Sequence, residues 1–208
     1  RDDRNSNFEL LRIISMFLVV VHHFSVHGSF DTMDVFSYEK IALDILFIGG
    51  KLGVNIFVMI GSYFLVGKSF KWRRPVSVLI DMLVYNWGLF VALLLLKPDI
   101  LTAERIYQMI FPFPDYYWFP TNYILLLLLA PVLNYYVKHV TEQALRYLLI
   151  FLSVIWIIVP SLELTGIAYS DLSWFIYLYL LVAYIKLYPN KVLYSKKFAK
   201  RLFAVSMT

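Results

Sequence analysis

Residues 10–28 read LLRIISMFLVVVHHFSVHG, an apolar stretch with an arginine near one end and three histidines near the other. A helix rising ~1.5 Å per residue needs about 20 residues to cross a hydrocarbon core of ~30 Å. The stretch has that length, and reading it as a membrane-crossing helix decides the fold class. Working outward from it, several more apolar runs of similar length follow. The 208-residue chain is 61% hydrophobic and 16% charged, whereas soluble domains are roughly 45–50% apolar and about 25% charged. Mean hydropathy is +0.70. A spanning segment must satisfy its backbone hydrogen bonds internally, and the alternation of a barrel strand is absent. The expected fold is therefore an all-α, polytopic integral membrane bundle forming a single domain over 1–208.

The run pattern predicts six passes. The first covers 7–27, with Ser6 and Glu9 in an S-x-x-E capping arrangement at its start. It is too polar at both ends for a signal peptide. A polar loop over 28–40 leads to a second apolar region interrupted by Gly49, Gly50 and Gly53. Those glycines predict an interfacial segment over 41–48 and a true crossing over 52–66. Pro75 opens the third pass, which ends near Leu96, and the others cover 119–137, 147–164 and 172–187. No internal repeat is present. With no cysteine, disulfides, thiolate chemistry and Cys-based zinc sites are excluded.

Basic residues set the orientation, because cytoplasmic loops retain lysine and arginine. With the N-terminus inside, the inner segments hold Arg1, Arg4, Lys68, Lys71, Arg73, Arg74, Lys138, Arg146 and Lys186. Lys191, Lys196, Lys197, Lys200 and Arg201 join them, whereas only Lys40, Lys51, Lys97 and Arg105 fall outside. Most of the acid lies outside, at Asp31, Asp34, Glu39, Asp44, Asp99, Glu104, Asp115, Glu163 and Asp171. Both termini are assigned to the cytoplasm. This asymmetry, together with anionic lipid, accounts for the net charge of +5, so no nucleic-acid partner is expected. Tyr116, Tyr117, Trp118 and Phe119 stand where the fourth pass enters from outside, as interfacial aromatics do.

At 100° per residue His23 returns to within about 20° of Arg12, with Glu9 and His27 about 60° away on the same side. Ser15 and His22 flank this stripe, roughly 60° and 80° round in the opposite sense. Arg12 and His23 are separated by roughly 16 Å along the axis. An arginine deep in a span costs about 2.5–3.5 kcal/mol on insertion scales, so the stripe is expected to face a partner or a wet cavity. The alternative is that Arg12 snorkels to the interface and His23 bonds to another helix.

An arginine followed by ten residues and a histidine in the first membrane helix, Arg12 to His23, resembles the signature of the membrane-bound acyltransferase family 3. NSNFELLRIISMFLVVVHHF is similar to the start of its members from low-GC bacteria, and GGKLGVNIFVMIGSYFLVGK to their second segment. YWFPTNYILLLLLAPVLN matches an aromatic start followed by Pro131 and Asn134. These matches cover about 5–137. Two departures stand out. Gly61 precedes Ser62 and Tyr63 where the family usually has Ser-Gly before the aromatic. Family members also have about ten passes over more than 300 residues, so the resemblance implies that C-terminal helices are missing here. The family's activity is transfer of an acyl group, usually acetyl, from cytoplasmic acyl-coenzyme A to a hydroxyl of an extracytoplasmic glycan in the bacterial cell envelope. On that basis acetyl-coenzyme A is a co-substrate, with no permanently bound cofactor, and the partners are a cell-surface polysaccharide and membrane lipid.

Within that reading His23 is the general base, since an imidazole with pKa near 6.5 suits proton acceptance from a sugar hydroxyl; a transient acyl-histidine is the less favoured variant. Arg12 pairs with donor phosphate. Lys71, Arg73 and Arg74, with Lys68, form a second candidate site for the nucleotide end, although orientation alone also demands them. Trp118 and Tyr123 either stack on an acceptor sugar or sit in the interfacial belt. Asn55, Ser62 and Tyr63 line the cavity or bond between helices. Asp81 is expected to pair with a basic residue. His23 and His27 have the i, i+4 spacing of two ligands but no third, so no metal is expected. The competing function is a transporter or flippase for a polysaccharide precursor, which a helix broken near Gly49–Gly53 would suit; an inactive fragment is the third.

Overall fold

The computed structural model describes residues 6–28, 37–111, 117–162 and 170–189. They form an all-α structure of seven helices: α1 Ser6–His27, α2 Tyr38–Leu65, α3 Arg73–Leu96, α4 Ala103–Ile110, α5 Trp118–His139, α6 Glu142–Ser161 and α7 Asp171–Leu187. Helices α1, α2, α3, α5 and α6 are long and apolar enough to cross a membrane. Large apolar side chains are exposed along them, among them Ile13 (66%), Phe17 (64%) and Leu96 (79%). Contiguous apolar surface on that scale requires lipid or protein as its solvent.

Two compact units divide the chain, one from 1–65 with 181–208 and the other from 66–180. In the first, α1 and α2 pack along their length. Here the structure corrects the reading of 41–48 as a separate interfacial segment, because α2 runs unbroken from Tyr38 to Leu65. A helix in lipid keeps its backbone bonds because nothing else can replace them, and this outweighs the ~1 kcal/mol each glycine costs. The glycines instead admit α1. A β-carbon on Gly53 would stand 2.6 Å from the Ser15 carbonyl oxygen, one on Gly49 would stand 3.0 Å from Leu18 Cδ2, and one on Gly50 would overlap the His22 ring. Small residues bringing two backbones together are the usual basis of close helix packing in membranes. The helix break that would favour a transporter is thus missing from α2.

In the second unit, buried residues of α5 (Leu126, Leu127, Ala130, Val137), α6 (Leu145, Leu149) and α7 (Phe175, Tyr177, Leu178, Tyr179) make the core. Thr141 caps α6, its hydroxyl oxygen accepting from the Ala144 N–H (3.2 Å). The cap places the helix start at Glu142 rather than at the expected 147. Over Val154–Ile158 α6 widens into a π-turn in which the Val159 N–H donates to the Val154 carbonyl. Pro160 follows, and the wider turn relieves the clash a proline makes with the preceding helical carbonyl. The expected end of this pass at 164 lies outside the described residues. So do Arg1, Arg4, Asp31, Asp34, Asp115, Tyr116, Glu163 and the basic residues of 191–201. The expected sixth pass appears as α7, apolar but 17 residues long.

Candidate functional site

On α1 the polar stripe is one continuous side of the helix, and α2 takes the neighbouring side. Ser15 is fully buried, its hydroxyl donating to the Arg12 carbonyl (2.8 Å). His22 Nδ1 lies 2.7 Å from the Phe47 carbonyl, so that nitrogen carries the proton and donates. The flanking residues thus pack on α2, and of the stripe itself Arg12 also reaches α2 at Phe64, while His23 and His27 stay exposed. The His23 ring has two ring neighbours among the described residues: His27, stacked at 5.5 Å with planes 9° apart, and His22, edge-on at 5.7 Å. An imidazole that is reachable and, among the described residues, bonded to no backbone group is suited to exchange a proton.

Arg12 is held firmly. Its guanidinium donates to Glu9 at 3.0 Å and lies over the Phe64 ring, 5.4 Å from the centroid. Glu9, expected at the helix cap, is therefore engaged one turn forward. Phe8 packs against both Tyr63 (4.9 Å) and Phe64 (5.1 Å). Tyr63 in turn lies beneath the Lys186 ammonium at 4.7 Å, and its carbonyl accepts from Lys186 Nζ at 2.6 Å. Aromatic faces and carbonyl oxygens both attract cations, so two positive charges are gathered around one aromatic group. Ser62 is fully buried, with a hydroxyl that has no hydrogen-bond partner among the described residues, and Asn55 is half-buried.

The basic turn belongs to the second unit and is built with care. Gly67 takes φ +77°, a left-handed conformation that glycine adopts without strain. Its N–H donates to Asn134 Oδ1 (2.9 Å), and Asn134 Nδ2 donates to the Lys68 carbonyl (3.2 Å). The buried Tyr179 donates its hydroxyl to the same Asn134 oxygen (2.9 Å), which fixes the direction of the amide. Arg74 reaches back to the Ser69 carbonyl (3.3 Å). Lys71 and Arg73 remain exposed and Arg74 is half-buried, so the turn presents cations from a fixed backbone. Asn134→Ala removes all three bonds. It is expected to lower stability by about 1–3 kcal/mol and to speed amide exchange at Gly67, read by hydrogen–deuterium exchange in detergent; unchanged exchange would mean the turn holds its shape without Asn134.

Trp118 is 40% exposed, while Tyr123 stacks on Phe119 at 5.8 Å with planes 10° apart. Asp81 is exposed and makes no ion pair among the described residues, contrary to the expectation of a basic partner. No group of three metal-ligating side chains converges among the described residues. Sequence reasoning missed His22, Lys186, Asn86 and Tyr179 as residues of consequence. The first had a signal, since it stands directly before His23 and the glycines of the next apolar run leave room for a ring; the others depend on partners far away in the chain. The chain matches no family model, no curated protein and no solved structure.

Proposed function

We propose that this protein is an integral membrane acyltransferase of the bacterial cytoplasmic membrane, resembling the membrane-bound acyltransferase family 3, with its N-terminus in the cytoplasm. It moves an acyl group, typically acetyl, from acyl-coenzyme A to a hydroxyl of an extracytoplasmic glycan. One observation carries the reading: a guanidinium fixed by Glu9 and Phe64, with an exposed imidazole roughly 16 Å further along the same helix.

Arg12 binds donor phosphate, for which a planar guanidinium is well matched. Lys71, Arg73 and Arg74 are further cations suited to a nucleotide's phosphates. His23 accepts the proton of the acceptor hydroxyl as its oxygen attacks the thioester carbon. A C–O bond forms, the C–S bond breaks, and the proton passes to the departing thiolate, so that free coenzyme A leaves and the imidazole is again neutral. Reconstituted protein given labelled acetyl-coenzyme A and deacylated polysaccharide should place label on the glycan. Intact thioester and unlabelled glycan would overturn the reading. Arg12→Ala should raise the KM for the donor about 10–100-fold with a smaller change in kcat, the loss of one charge-assisted bond; an unchanged KM would remove Arg12 from donor binding.

A further inference from the structure

The chain turns back after α3. Residues 89–96 of that helix are LFVALLLL, and Leu95 and Leu96 are 76% and 79% exposed. Eight apolar residues with such exposure belong in hydrocarbon. Yet the buried Asn86, ten residues and roughly 15 Å before Leu96 along the axis, donates its side-chain amide to the Met109 carbonyl near the end of α4. Its Oδ1 accepts from the Tyr117 hydroxyl at 3.1 Å. Helix α4, capped by Thr102, therefore runs back alongside α3 to the depth of Asn86.

This helix is polar on one side. Gln108 donates to Glu104 (3.2 Å), and Arg105 donates to the Ile100 carbonyl (2.9 Å). A charged and amide-bearing face at the depth of a leucine run is not compatible with lipid; backbone and polar groups at that depth occur where they line water or protein. The Lys97 and Pro98–Ile100 turn keeps the chain close enough to α3 for this return.

We propose that α4 is a re-entrant element lining a water-filled vestibule, open on the membrane face opposite Arg73 and Arg74 and floored at Asn86 and Tyr117. Asn86 is buried and engaged with Met109 and Tyr117, so it closes the base, and the Gln108 amide with the Tyr117 hydroxyl oxygen supplies uncharged polar groups that suit a neutral, hydroxyl-rich ligand. Trp118, partly exposed beside Tyr117, offers an aromatic surface for the apolar face of a sugar ring. Within its unit the vestibule is the place where the acceptor glycan binds. That use rests on the acyl-transfer reading, whereas the vestibule itself does not.

The absence of cysteine makes the test direct. Thr102→Cys, Gln108→Cys and Leu95→Cys are made singly in the full chain and exposed in whole cells to a membrane-impermeant sulfonated thiol reagent. The Gln108 variant should react within about tenfold of the Thr102 variant, and the Leu95 variant at least about a hundredfold more slowly, although Leu95 is nearer the end of α3. Glu104→Cys, on the same face of α4, repeats the measurement should the Gln108 variant fail to fold. Equal reactivity at Leu95 would place the end of α3 in water and overturn the re-entrant assignment, as would protection of both Gln108 and Glu104 variants. A bulky adduct at position 108 should also block transfer to polysaccharide while leaving acyl-coenzyme A binding unchanged. Undiminished transfer would overturn the acceptor site alone, and absence of transfer by the unmodified protein would overturn the acyltransferase reading while the labelling pattern still decides the vestibule.

Discussion

His23→Ala is expected to lower the rate of acyl transfer by about 10²–10⁴-fold, the usual contribution of a positioned general base. Donor affinity and the amount of folded protein should stay at the level of the unaltered chain. The selectivity follows from geometry: the His23 ring is exposed and, among the described residues, its ring neighbours are His22 and His27. The adjacent His22→Ala should behave in the opposite way. It removes the bond to the Phe47 carbonyl and empties the space over Gly50, so folded yield falls while turnover per folded molecule is kept. Transfer assayed in membranes at saturating donor, normalised to folded protein, separates the two. Full activity in the His23 variant would take proton transfer away from this residue.

Gly53→Val should have the largest effect on stability. Even a single β-carbon there meets the Ser15 carbonyl oxygen at 2.6 Å, and a backbone oxygen cannot swing aside as a side-chain tip can. The helices must part, and the loss is at least the ~1–3 kcal/mol typical of overpacking, with the Arg12 contact to Phe64 lost as well. Gly88→Ala is the matched control, because nothing lies within 4 Å of a β-carbon there and alanine is the better helix former by about 1 kcal/mol. Thermal unfolding in detergent should therefore fall for the first variant and hold or rise for the second. Equal melting of Gly53→Val and the unaltered protein would mean that α1 and α2 do not depend on this contact.

The helices were legible in hydropathy because lipid imposes one condition on every turn. Gly49, Gly50 and Gly53 were misread for a related reason: their weak propensity counts in water, but in lipid a broken backbone bond has no substitute. The helical wheel of α1 set Arg12 and His23 on one side and left open which residues are packed; Arg12 lies against Phe64 of α2 and His23 is exposed. That choice is made by the glycines of α2, 25 or more residues away, which accept Ser15 and His22. Helix α4 is only 8 residues long, too short to register against the leucine run before it. The service Asn134 performs for Gly67 and Lys68 is invisible locally, since donor and acceptor stand 67 and 66 residues apart.

The unbroken α2 has one more consequence. Its 28 residues extend about 42 Å at 1.5 Å each, well beyond a ~30 Å hydrocarbon layer. Its first turns carry the Lys40–Asp44 ion pair (3.3 Å) and belong at the headgroups, leaving the rest to tilt or stand proud. A thicker bilayer will draw the helix upright and a thinner one will tip it, taking α1 along through the glycine contacts. Acyl-chain length of the surrounding phospholipid thereby adjusts how deep the guanidinium of Arg12 rides.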